Sequence, residues 1–210
     1  FAQADMGAVL SAIVEGLDLV SIGVTSPKHP AGVFSLAEAN ITQPKDLEGR
    51  SIGNTSGSAT AIMLEAFMIA NGVDRSKVRS VNLNGDVLVQ SMINREVDAT
   101  ANFFQNAAPD LIVDGIPFNL MLFADYGLNV YSLTMATQGS RVREQPDLVQ
   151  RFIDGTMEGL KYSYLEPDRT NEIFLEMVPE AGQQERDKQT NRISLLVNNA
   201  MGIVPSFEQN

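Results

Sequence analysis

The chain has 210 residues, of which 44% are hydrophobic and 20% are charged, and its 26 acidic and 15 basic residues give a formal net charge of −11. This length and composition predict one or two globular domains with a sizeable core. The net negative charge argues against binding to nucleic acid or to an anionic membrane surface, because both require a basic face. No run of the sequence approaches the ~18 consecutive apolar residues of a membrane span.

The chain has no cysteine and a single histidine, His29. The lack of cysteine excludes disulfides, thiolate metal sites and cysteine nucleophiles. With one histidine and no cysteine, we expect no metal site. We also expect no cofactor. His29 lies in a Pro-rich turn, where we expect it to be exposed. The chain starts with Phe1 rather than Met, and we expect any signal peptide to lie outside it.

The first 40 residues predict a helix and two strands. The helix has Asp5 as its N-cap, carries its apolar face at residues 8–14 and ends at Gly16. The first strand, residues 19–24, is β-branched and apolar and is expected to be buried. A short strand at 33–36 follows.

The middle of the chain alternates strands with helices. Strands are predicted at 50–53, 78–83, 97–101 and 120–123. Helices are predicted at 58–70, at 87–94 with Asp86 as the cap, and at 107–114. This alternation indicates a mostly parallel sheet with helices on both faces.

The last third begins with an extended segment at 130–137 and continues as helices. Pro146 opens the first helix, and further helices are predicted at 168–178 and 193–201. These residues and the first 40 are predicted to form one lobe that the middle segment interrupts.

One candidate site is the segment GNTSGSAT, residues 53–60, which follows a strand and opens a helix. Free N–H groups and the helix dipole make a helix start suitable for an anion such as a carboxylate or sulfonate. Gly57 allows close backbone approach, and Ser56, Ser58 and Thr60 add hydroxyl groups. The alternative is a helix that Ser56 or Ser58 merely caps. The segment is neither a Walker loop nor a G-x-G-x-x-G motif.

Asp5 and Asn102 are further candidates. Asp5 can meet an amine or N–H group of a ligand, or can simply cap its helix. Asn102 follows a predicted strand, at the end of a parallel strand where open α/β sheets bind ligands. Beside it, Phe103 and Phe104 suggest an apolar wall. We expect only one of them to face a cleft, and we select Phe104.

Tyr126 and Tyr131 flank a glycine-containing turn. Tyrosine suits a cleft because it combines an apolar ring with a polar tip. The alternative for this pair is an aromatic contact packed between domains.

Several blocks of the sequence, in this order, resemble one family: ADMG, ITQPKDLEGRSIGNTSGSAT, EVDATAN, DYGLNVYSLTMAT and REQPDLVQRFIDGTMEGLKYSYLEPD. They resemble the periplasmic solute-binding proteins of ABC importers. The nearest branch is the group that binds nitrate, sulfonates, taurine and thiamine precursors. The resemblance covers residues 4–180.

The resemblance implies an α/β, two-lobed, type II periplasmic-binding-protein-like fold. Each lobe is expected to be a mostly parallel sheet flanked by helices. Residues 1–40 and 130–210 would form the first lobe and residues 41–129 the second. The first lobe is expected to be incomplete, because the strand–helix–strand unit that opens such proteins is absent. The ligand would lie in a cleft between the lobes, near Asp5, Ser56, Gly57, Ser58, Thr60, Asn102, Phe104 and Tyr126.

The implied function is that of a non-catalytic, monomeric, periplasmic or lipid-anchored extracytoplasmic protein that delivers a small organic ligand to an ABC permease. Two enzymes of the same fold do not fit. The pyrimidine synthase of thiamine biosynthesis uses a cysteine-rich motif and histidines, and a related desulfinase uses a cysteine nucleophile. A lyase of the menaquinone-pathway type and a ligand-sensing domain stay open as alternatives.

Overall fold

The computed structural model describes residues 1–201, which form eight β-strands and eight α-helices. The strands are β1 Ala2–Asp5, β2 Leu19–Val24, β3 Ala31–Leu36, β4 Ser51–Asn54, β5 Arg79–Asn82, β6 Ala99–Phe103, β7 Phe118–Leu122 and β8 Leu133–Gln138. The helices are α1 Met6–Val14, α2 Ala59–Ala70, α3 Leu88–Ile93, α4 Phe104–Val113, α5 Gly139–Glu144, α6 Pro146–Leu165, α7 Pro167–Met177 and α8 Glu185–Met201.

The chain divides into two compact units. One contains residues 1–29 and the chain from 130 onward, and the other contains residues 30–129. The first division falls after His29 rather than at residue 40, because β3 pairs with β6 and β7 of the second unit. Residues 202–210 of the predicted first lobe lie outside the described part of the chain.

The second unit is built on a five-stranded sheet with the order β5-β4-β6-β3-β7. β4 runs parallel to β5 and β6, whereas β3 runs antiparallel to β6 and β7. Four strands therefore share one direction, and β3 is the reversed strand. The mostly parallel sheet predicted from the middle of the sequence is confirmed.

The two faces of this sheet bury separate apolar clusters. Ala31 and Val33 of β3 belong to the cluster that contains Phe67 of α2. Phe34, the next residue of β3, belongs to the cluster that contains Leu111 of α4. Successive side chains of a strand point to opposite faces, so α2 covers one face and α4 the other.

The first unit contains a three-stranded sheet with β8 at its centre. β1 and β2 both pair with β8 in antiparallel orientation. The described sheet of this unit is therefore antiparallel, unlike the mostly parallel sheet expected for it. β2 is also less buried than expected, since Val20 is 38% exposed.

Three predicted helix starts differ from the structure. Asp86 does not cap α3, because a short 3₁₀ turn at Gly85–Val87 precedes the helix and Val87 is the N-cap residue. α4 starts at Phe104 rather than at residue 107. α8 starts at Glu185 rather than at residue 193. Residues 185–192 are polar and show no apolar stripe from which the helix could be predicted.

Candidate functional site

The amino terminus of α2 has the geometry of a side-chain-capped helix. Ser58 is the N-cap residue, and its Oγ accepts a hydrogen bond of 3.2 Å from the Ala61 N–H. The same Oγ lies 2.9 Å from Thr60 Oγ1. The structure thus shows the capping interaction that was the alternative for Ser58, and it brings the Ser58 and Thr60 hydroxyls together at the start of the helix.

Gly57 directly precedes this cap and has a backbone φ of +76°. An L-residue with a side chain rarely adopts this left-handed conformation, which explains the glycine. A Cβ added at Gly57 would meet no heavy atom within 4 Å. The backbone at this position therefore faces open space.

The loop between β4 and α2 is anchored to the end of β5. The Ser56 N–H donates a 2.9 Å hydrogen bond to Asn82 Oδ1. Thr55 Oγ1 donates to the Leu83 carbonyl at 3.0 Å. Sequence reasoning did not identify Thr55 or Asn82. The available signal was the position of Asn82 at the end of a strand predicted parallel to β4.

A shallow pocket of about 250 Å³ lies beside the loop. Its lining residues are Asn54, Ser56, Gly57, Ala61, Ile62, Leu64, Glu65 and Ser80. Within it, Asn54 Nδ2 donates to Ser80 Oγ at 2.7 Å. Glu65 pairs with Arg75 across 2.5 Å. The pocket thus combines neutral polar groups with one ion-paired carboxylate.

Asn102 lies at the same edge of the sheet as this loop. β4 and β6 are parallel neighbours, so their carboxyl ends meet at one edge, where open α/β sheets bind ligands. Asn102 is only 9% exposed, and its Oδ1 accepts a 2.8 Å hydrogen bond from the Phe103 N–H. The structure therefore places Asn102 near the predicted location, with one of its polar atoms already engaged.

Phe104 does not form the predicted apolar wall. It is the first residue of α4 and packs with the core, its ring stacking on Phe34 at 6.5 Å between centroids. Phe103 packs against the cluster on the other face of the sheet. The early start of α4 is the physical reason, because it turns Phe104 toward the sheet.

Tyr126 is a packed aromatic at the far end of α2. Its ring meets Phe67 edge-on at 5.6 Å, and its carbonyl accepts a 3.2 Å hydrogen bond from Asn71 Nδ2. The 12 residues of α2 span ~18 Å at 1.5 Å per residue. The structure therefore does not bring Tyr126 to the Ser56–Thr60 loop.

Asp5 belongs to the first unit, where it caps α1. Its Oδ1 accepts a 2.8 Å hydrogen bond from the Gly7 N–H. His29 Nε2 lies 3.7 Å from Asp5 Oδ2. The expectation that His29 is exposed is wrong, since its side chain is 3% exposed. Burial lowers the pKa of His29, and the nearby Asp5 carboxylate only partly opposes this shift.

Within residues 1–201, no group of three or more His, Cys, Asp or Glu side chains is arranged to hold a metal ion. In the same part of the chain, no helix has the length and hydropathy needed to cross a bilayer.

Comparison with solved structures shows the class of the fold. The chain is similar to the periplasmic aliphatic sulphonate binding protein SsuA from Escherichia coli, with a TM-score of 0.72 at 15% sequence identity. The match covers 95% of this chain and 66% of that protein. Other solved neighbours are described as components of ABC transport systems. The fold is therefore mixed α/β and periplasmic-binding-protein-like.

The chain belongs to the NMT1/THI5-like family, which matches residues 1–170. It is 24% identical over 183 residues to riboflavin-binding protein RibY of Chloroflexus aurantiacus, covering 86% of this chain and 51% of that protein. It is 22% identical over 175 residues to the 4-amino-5-hydroxymethyl-2-methylpyrimidine phosphate synthase of Legionella pneumophila, covering 81% of this chain and 54% of that protein. The chain thus spans about half the length of these curated relatives.

Proposed function

We propose that this chain is part of the solute-binding component of an ABC import system and captures a small organic ligand with an anionic head. The family and the binding proteins among its structural neighbours support a solute-binding role. We further propose an extracytoplasmic location, a monomeric state and an ABC permease as the partner that receives the ligand. A sulfonate is the first candidate ligand class, and a pyrimidine such as a thiamine precursor is the second.

The observation that carries this proposal is the junction of β4 and α2. Gly57 presents backbone with open space around it, directly before the first turn of a helix. The first N–H groups of a helix lack partners within it, and the helix dipole adds partial positive charge there. An anionic head can thus be held by backbone N–H groups at this helix start without a lysine or arginine.

The same residues favour binding over catalysis. The loop contributes hydroxyl and amide groups, which can hold an anion but are poor general bases near neutral pH. The chain has no cysteine for a nucleophile. Because one relative is a synthase, the non-catalytic role is itself part of the proposal. Conversion of a bound sulfonate or pyrimidine by the purified protein would contradict it.

A pair of glycine substitutions tests the site. Gly57 and Gly72 have similar backbone conformations, with φ of +76° and +65°, and both face open space. They lie before and after α2. Valine at either position should lower the free energy of unfolding by about 1–2 kcal/mol, because a branched residue is strained at positive φ.

Only Gly57→Val should also weaken binding, because its methyl groups would occupy the space where the anionic head approaches the backbone. Chemical denaturation and calorimetric titration with ethanesulfonate on the same samples separate the two effects. If Gly57→Val and Gly72→Val bind ethanesulfonate with the wild-type dissociation constant, the loop is not part of the site.

A further inference from the structure

The Asp5 carboxylate is held on one side and partly open on another. Its Oδ1 is engaged by the Gly7 N–H at 2.8 Å, while its Oδ2 lies 3.7 Å from His29 Nε2. The Asp5 side chain is 35% exposed, whereas the His29 side chain is 3% exposed. A carboxylate is thus accessible from solvent and has a buried imidazole beside it.

Strand β8 brings these two residues together from distant parts of the sequence. Asp5 is opposite Leu133 in the pairing of β1 with β8. The Leu133 carbonyl accepts hydrogen bonds from the Thr25 N–H at 2.9 Å and the Ser26 N–H at 3.2 Å. The segment that leads to His29 is therefore fixed to the same residue of β8 as Asp5. The pair is part of the sheet architecture rather than of a free loop.

The protonation of His29 changes what Asp5 can bind. Burial disfavours the imidazolium and lowers the pKa of His29, while Asp5 favours the charged form. The Asp5 carboxylate acts on His29 both through its charge and through a side-chain hydrogen bond. With a neutral His29, the Asp5 carboxylate can offer its full charge to a ligand. With a protonated His29, the two side chains form an internal ion pair and that charge is largely neutralised.

We propose that His29 is a positioning residue of a cation subsite at Asp5, and that its neutral form is the form that permits Asp5 to bind the ammonium group of a ligand. This inference rests on the proposed solute-binding function and specifies a ligand class, an amine-bearing solute. By reciprocity of linked equilibria, a bound ammonium lowers the pKa of His29, and protonation of His29 weakens ammonium binding by the same factor.

Two small sulfonates provide a matched test. Taurine and isethionate share an ethanesulfonate body, and an ammonium in the first stands where a hydroxyl stands in the second. Because His29 is the single histidine, its ring proton gives one assignable NMR signal from which its pKa follows directly. Affinity for both sulfonates is then measured at pH 8 and at one pH unit below that pKa.

We expect the wild-type chain to prefer taurine at pH 8, and we expect this preference to fall about five-fold or more at the lower pH. Saturating taurine, but not isethionate, should lower the pKa of His29. His29→Gln should retain the preference without its pH dependence, and Asp5→Asn should lose the preference. If a variant fails to fold, the affinities of the wild-type chain for taurine and isethionate at the two pH values still test the proposal.

The possible failures are distinguishable. Binding of both sulfonates with the same pH dependence overturns the role of His29 and leaves solute binding intact. A His29 signal that does not titrate above pH 4, or a pH-dependent preference that persists in His29→Gln, also overturns it. Binding of neither sulfonate contradicts both this inference and the proposed sulfonate ligand.

Discussion

The ring and the hydroxyl of Tyr126 contribute differently to the free energy of unfolding. The ring packs on Phe67, whereas the hydroxyl donates a long 3.5 Å hydrogen bond to the Thr42 carbonyl. Tyr126→Phe keeps the packing and should change the free energy of unfolding by less than about 0.5 kcal/mol. Tyr126→Ala removes the ring and should cost about 2–3 kcal/mol, below the range for a fully buried aromatic.

These two variants also test whether Tyr126 contacts the ligand. Chemical denaturation gives the stabilities, and titration with ethanesulfonate gives the affinities. Tyr126 lies at the far end of α2 from the Ser56–Thr60 loop, so Tyr126→Phe should bind as the wild type does. A ten-fold loss of affinity for ethanesulfonate in Tyr126→Phe would show that the Tyr126 hydroxyl contributes to ligand binding.

At the residue scale, local chemistry was predictable and distant contacts were not. Asp5 and Ser58 were identified as capping candidates because a cap depends on residues within one turn. The burial of His29 depends on the anchoring of its segment to Leu133, more than 100 residues away, and no local pattern reports it. The sequence did not show which of Phe103 and Phe104 faces a cleft, because the start of α4 determines the face of the sheet on which each ring packs.

At the element scale, Glu48 joins its own turn, residues 44–48, to the turn at residues 74–77 that follows α2. Its carboxylate accepts hydrogen bonds from the Asp74 N–H at 2.9 Å, Lys45 Nζ at 3.0 Å and Lys77 Nζ at 3.2 Å. The Asp74 N–H, followed by the two lysines, lowers the pKa of Glu48 to about 2. This carboxylate therefore stabilises the fold only in its ionised form.

The pH dependence of this contribution has a definite sign. A carboxyl group whose pKa is depressed on folding adds stability above its unfolded pKa of 4.5, and this stability is lost as the pH falls toward 2. Glu48→Gln should therefore be less stable than the wild type at pH 7, and the difference should shrink between pH 4.5 and pH 2. Denaturant midpoints across this range measure it.

Glu15, which is exposed and lies outside this cluster, provides the control, and Glu15→Gln is measured across the same pH range. A Glu48→Gln variant whose loss of stability is the same at pH 3 and pH 7 would show that the carboxylate charge does not contribute.

Elements with an apolar period and clear end signals were predictable from the sequence. β2 has its predicted bounds, and α2 ends at Ala70 before the Asn71-Gly72 stop. The first half of α8 was missed because its residues are polar and give no helical stripe. The direction of β8 was missed for a different reason. Pairing between segments far apart in sequence decides whether a strand runs parallel or antiparallel.

At the scale of the whole molecule, the structure of the second unit agrees with the prediction from the sequence more fully than that of the first. The second unit has the predicted alternation and its mostly parallel sheet. The described part of the first unit is an antiparallel sheet accompanied by the long helices α6–α8. Its two sequence segments were predicted to belong together, and in the structure β1 and β2 of the first segment pair with β8 of the second.

We propose that this chain binds a small anionic solute without converting it. The most direct measurement is the free energy of unfolding of the purified chain with ethanesulfonate, nitrate, acetate or a pyrimidine, with each solute analysed afterwards by mass spectrometry. A true ligand at 100 times its dissociation constant should add about 2.7 kcal/mol, and it should be recovered unchanged. We expect this result for the sulfonate. No stabilisation by any of these solutes, or recovery of a product in place of the solute, would contradict it.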